Sequence, residues 1–94
     1  MINIMAQAIA KPEDMEKFAH DLKQFNAQLK ENMARLQAQF GKLGDTWRDQ
    51  EHQKYGQEFE QTARVLQQFM RSSETQIPFL LRKAQKIREY LNQR

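Results

Sequence analysis

Two stretches of this chain place apolar residues three or four positions apart, and a short glycine-bounded segment separates them. In the first, Met15, Phe18, Leu22, Phe25, Leu29, Met33, Leu36, Phe40 and Leu43 keep that spacing. Steps of three and four bring side chains to one face of an α-helix, and the intervening residues are polar. Neither glycine nor proline interrupts the run between Pro12 and Gly41. Pro12 suits a first helical turn, where its missing N–H has no intrahelical partner. Glu13, Asp14 and Glu16 then set negative charge at the positive end of the helix dipole. The spacing predicts a helix over residues 12–42.

The second stretch runs Tyr55, Phe59, Thr62, Leu66, Phe69, Ser73, Ile77, Leu80, Ala84, Ile87 and Leu91, and predicts a helix over residues 47–92. Gly56 weakens it by up to ~1 kcal/mol relative to alanine. Pro78 removes the bond back to the Glu74 carbonyl. The period continues in phase across it, which predicts a kink near Pro78 or a short break near Ser72 to Thr75. Between the two helices, residues 43–46 read as a turn. Gly41 and Gly44 suit a left-handed helix end, Asp45 and Thr46 suit an N-cap, and Trp47 opens the second helix. Residues 1–11 read as an N-terminal arm.

The fold expected is all-α, a single domain over residues 1–94 built as an antiparallel hairpin of two long helices. Its stripe of Phe18, Leu22, Phe25, Leu29, Leu36, Phe59, Leu66, Phe69, Leu80 and Ile87 is too wide for one helix–helix contact. Val65, Met70, Phe79 and Leu81 widen it further. Such a surface marks a partner site, and a second hairpin would complete a four-helix bundle. Seven-residue steps mix with eleven-residue ones, which describes a nearly straight bundle helix better than a zipper.

Composition narrows the function. Hydrophobic residues make up 39% of the chain and charged residues 29%. That is too apolar for a disordered chain, and no run approaches the ~18 to 20 apolar residues of a membrane span. Without cysteine there is no disulfide, thiolate metal site or cysteine nucleophile. His20 and His52 stand alone and read as surface residues, and Glu51-His52 lacks the second histidine of a zinc motif. No catalytic residue, cofactor or metal is expected, and the chain does not read as an enzyme.

The segment Trp47-Arg48-Asp49, with Tyr55 eight residues on, sits at the middle of a two-helix chain. In this the chain resembles the WXG family of small helical proteins exported by type VII secretion systems. The likeness runs from Pro12-Glu13 to the end of the second helix, with Asp49 at the place of the motif glycine. It implies a non-enzymatic protein that works by protein–protein interaction as a homo- or heterodimer. It implies that Trp47, Arg48, Asp49 and Tyr55 form a partner-recognition tip, and that a secretion ATPase is a partner. It also implies secretion without a cleaved signal peptide. The family's C-terminal Tyr-x-x-x-Asp/Glu signal is not matched, since Tyr90 is followed at the fourth place by Arg94. A cytoplasmic helical adaptor, or structural subunit of a larger complex, is the alternative. Nucleic-acid binding through the basic residues 82–94 ranks lower, because no recognition motif accompanies the cations.

Charge adds one expectation. Residues 45–60 carry Asp45, Asp49, Glu51, Glu58 and Glu60 against Arg48 and Lys54, whereas residues 82–94 carry five cations against Glu89. Two hairpins packed antiparallel would bring these opposite charges together.

Overall fold

The computed structural model describes residues 11–92, so residues 1–10 of the expected arm over residues 1–11, and residues 93–94, lie outside the described residues. Two helices account for most of what is described: α1 (Pro12–Leu43) and α2 (Gln50–Asn92). They pack against each other as a helical hairpin, with no strand among the described residues. Pro12 is the first residue of α1 and is buried there. The Lys11 carbonyl accepts from the Asp14 and Met15 amides at 3.1 and 3.2 Å, which closes the first turn.

α1 ends without a left-handed residue, because no described glycine or other residue has a positive φ. The chain instead leaves the helix through right-handed turns. The Gly44 amide donates to the Phe40 and Gly41 carbonyls at 3.3 and 3.2 Å, and the Leu43 carbonyl accepts from Thr46 and Trp47 at 3.2 and 2.9 Å. Gly44 is small for another reason: an added Cβ would lie 3.3 Å from the Gly41 oxygen and 3.5 Å from the His52 ring.

α2 starts at Gln50, three residues later than the spacing predicts, so Trp47 lies in the turn and not in the helix. Asp49 rather than Asp45 or Thr46 serves as its N-cap, its Oδ1 accepting from the His52 amide at 3.1 Å. The helix then runs through Pro78 without the break considered near residues 72–75. Pro78 and Glu74 are both exposed. The carbonyl that loses its partner therefore lies where water reaches it.

The chain divides into two compact units, one made of Met1–Gln24 with Ser73–Arg94 and the other of Phe25–Ser72. Each unit pairs a piece of α1 with a piece of α2. In the first, the buried or half-buried positions are Pro12, Met15, Ala19 and Leu22 on α1, and Ser73, Ile77, Leu80, Ala84 and Ile87 on α2. In the second they include Asn26, Leu29, Met33 and Phe40 on α1, and Gly56, Phe59, Ala63, Leu66 and Met70 on α2. Within each unit these positions follow steps of three and four, except that Leu36, due between Met33 and Phe40, is exposed. The covered positions keep a seven-residue step along each helix.

The expectation of mixed steps followed only large apolar residues. The most buried seam residues are small: Ala19 is 1% exposed, Ala84 0% and Ser73 2%. Small side chains at the contact let helix axes approach closely. Several large residues are left largely exposed. Phe18 is 57% exposed, Phe25 52%, Leu36 52% and Phe69 44%, so these four do not form the core of the single chain. Leu22, Leu29, Phe59, Leu66 and Leu80 are half-buried, and Ile87 is buried.

Candidate partner-recognition surface

Writing a and d for the two seam positions of each heptad, the g residue stands beside d and the e residue beside a. In an antiparallel helix pair the two g flanks share one side and the two e flanks share the other. The structure has this arrangement in both units. In the Met1–Gln24 and Ser73–Arg94 unit, the e residues Glu16 and Arg88 meet across the helices. The Arg88 Nη2 donates to Glu16 Oε1 at 2.6 Å and the Nε to Oε2 at 3.2 Å, and Glu13 lies 3.7 Å from the same guanidinium. This two-bond pairing holds the Glu16 carboxyl below the usual glutamate range. In the Phe25–Ser72 unit, the g residues Phe25 and Phe69 meet edge to face, with ring centres 5.8 Å apart.

The two sides differ in chemistry. The e side is closed by an ion pair in the first unit. The g side exposes large apolar side chains among polar ones such as Asn32, Thr62 and Gln76. In the first unit it carries Phe18 and Tyr90, the latter 56% exposed, with Phe79 beside them at 57%. In the second it carries Phe25, Tyr55 and Phe69, with Leu36 and Val65 on its margins, Val65 being 59% exposed. Exposed aromatic and branched side chains grouped on one side of a helix pair make that side a candidate binding surface.

The turn forms a second cluster within the Phe25–Ser72 unit. Trp47 is half-buried and lies edge-on to His52, with ring centres 5.1 Å apart. Tyr55 stands 6.2 Å from Trp47 and 6.2 Å from Phe59. Phe40 of α1 stacks on His52 at 4.8 Å with the ring planes 10° apart. His52 is thus no surface histidine: its Nε2 is covered by rings and has no hydrogen-bond partner. Of the four tip residues expected, Trp47 and Tyr55 come together. Arg48 and Asp49 bond to the backbone, the Arg48 Nε donating to the Gly44 carbonyl at 3.1 Å and Asp49 capping α2.

Sequence reasoning missed Phe40 and His52 as members of this cluster. It also missed Gly56, where an added Cβ would stand 3.1 Å from the Phe40 ring. The available signal was the seam register: Phe40, His52 and Gly56 all occupy seam positions.

Among the described residues no group of three His, Cys, Asp or Glu side chains gathers to hold a metal ion. No helix among them is long and apolar enough to cross a membrane. A family model described as proteins of 100 residues with WXG matches residues 7–92. Neither a curated protein nor a solved structure matches the chain.

Proposed function

The chain belongs to the family of proteins of 100 residues with WXG, small helical proteins of the type VII secretion substrate kind, and on that premise we propose that it is exported as a folded dimer of helical hairpins. It acts by binding and not by catalysis. The observation that carries this reading is the contrast between the two sides of each helix pair. The e side of the first unit is closed by Glu16 and Arg88, while the g sides leave Phe18, Phe25, Phe69 and Tyr90 half in water. Burial against another hairpin would remove that apolar area from water at about 25 cal/mol per Å². The Trp47 and Tyr55 rings, fixed at the turn by Phe40 and His52, serve as the tip read by a secretion ATPase.

The test uses two variants in a cell with a type VII system. Phe25→Glu with Phe69→Glu keeps helix content, because both side chains are half-exposed, and abolishes both hairpin pairing and export. Trp47→Ala keeps the pairing and loses export. Normal export of both variants would refute the reading.

A further inference from the structure

We infer that the e side of the Phe25–Ser72 unit carries a pocket for an arginine side chain, supplied by a protein other than a second hairpin. This reading goes beyond hairpin pairing and does not rest on it, because the pocket opens on the flank opposite the exposed g residues. Gln37 of α1 and Glu60 of α2 are both e residues. With Phe40, Gly56 and Phe59 they line a hollow of about 240 Å³. Small-molecule pockets run to ~300 to 1,000 Å³, so this one suits a single large side chain.

Its floor is set by packing. The Phe40 and Phe59 ring centres stand 5.4 Å apart, and Phe40 is also stacked on His52. Gly56 leaves the Phe40 ring its place, since even a Cβ would stand 3.1 Å from it. Aromatic rings beside a carboxylate suit a cation that can stack. Of the basic side chains, only the planar guanidinium stacks while donating to acceptors in its own plane.

The other unit shows the same flank occupied. There the Glu16 carboxylate accepts from Arg88 through both oxygens, at 2.6 and 3.2 Å. In the Phe25–Ser72 unit Glu60 has no such partner across the helices among the described residues. It accepts from Arg64 of its own helix at 2.6 Å through Oε1 alone, and Arg64 is exposed and does not line the hollow. The Oε2 atom is left to accept from an incoming guanidinium, with the Gln37 carboxamide oxygen as a second acceptor. Gly41 stands one turn beyond Gln37 on the same face of α1. Its backbone has no positive φ and a Cβ there would meet open space, so neither conformation nor packing within the chain requires a glycine. Glycine is a poor helix former, and a partner's backbone coming close at that point gives the bare surface a use.

The experiment titrates N-acetyl-arginine methylamide into the full, isotope-labelled chain and follows the amide resonances by NMR. A ligand the size of one side chain should bind with a millimolar Kd. Shifts are expected at Gln37, Gly56, Phe59 and Glu60, and not at Phe18 or Tyr90. Glu60→Gln keeps the shape of the side chain and should weaken binding about tenfold, with helix content by circular dichroism unchanged. The norleucine analogue, which has an apolar stem and no charge, should leave the spectrum unmoved. Equal binding of that analogue, or of arginine by Glu60→Gln, would overturn a cationic occupant. A spectrum that arginine leaves unmoved, or shifts centred on Phe18 and Tyr90, would overturn the pocket. Sedimentation equilibrium with the arginine analogue present identifies the source of the side chain. An unchanged association state supports a different protein. Release of paired hairpins by the analogue would assign the pocket to the second copy and overturn that partner.

Discussion

At the scale of single residues, the three glycines separate by what surrounds them. Gly41 is helical, has no positive φ, and would place a Cβ in open space. Gly41→Ala should therefore stabilise the chain, by up to ~1 kcal/mol, as helix propensity predicts. Gly56→Ala should yield less or nothing, because the new methyl pushes on a Phe40 ring already held by His52 and Phe59. Urea denaturation of the two variants side by side decides it, and equal gains would mean that Phe40 moves freely. Asp49 gives the sharpest single-residue contrast. As the N-cap of α2 it should cost about 1 kcal/mol when changed to alanine and little when changed to asparagine, which caps as well. Equal losses would show that the charge at Asp49, and not its cap, is what matters. The motif position thus has a structural duty in this chain that the bare sequence, read through its family likeness, assigned to recognition.

At the scale of the helices, the seam tolerates little growth. Ala84 is fully buried, so Ala84→Leu should destabilise by ~1 to 3 kcal/mol through overpacking. Ile87→Ala, which empties a buried site in the same seam, should cost ~2 to 5 kcal/mol. Phe79→Ala, at an exposed site on the same helix, should change monomer stability little. A thermal or urea series reading Phe79→Ala as the largest loss would put the seam in the wrong place. The ends of the two helices add a pH signature. The Glu16 carboxyl is held below the ordinary value of 4.5 by hydrogen bonds from Arg88. A depressed carboxyl contributes stability that is present above the unfolded value and disappears as pH falls through the folded one. Wild type and Glu16→Gln should therefore differ most at neutral pH and converge below pH 4.5. Much of this was legible in the sequence. Helical period, the extent of α1 and the phase of α2 through Pro78 all follow from apolar spacing. The seam itself was not legible, because Ala19, Ala63, Ala84, Asn26 and Ser73 carry no hydrophobic signal. The large residues beside them share the same period, so spacing alone could not tell flank from seam. Nor could spacing show that His52 lies among rings, since that depends on where the turn returns the chain.

At the scale of the whole molecule, the proposed hairpin pairing would make stability depend on concentration. If folding and pairing are coupled, the thermal midpoint should rise with each tenfold increase in protein. Calorimetry across a concentration series measures this, and a constant midpoint would mean that the hairpin stands alone. The turn cluster also gives the protein an optical label. Trp47 is the only indole in the chain, and it sits in the Phe25–Ser72 unit against His52 and Tyr55. Its emission therefore reports on that unit, whereas far-ultraviolet dichroism counts the helical residues of both. Coincident melting curves from the two signals are the mark of one cooperative transition. Fluorescence changing at a lower temperature than dichroism would show the turn end loosening first, in unmodified protein and without any attached dye.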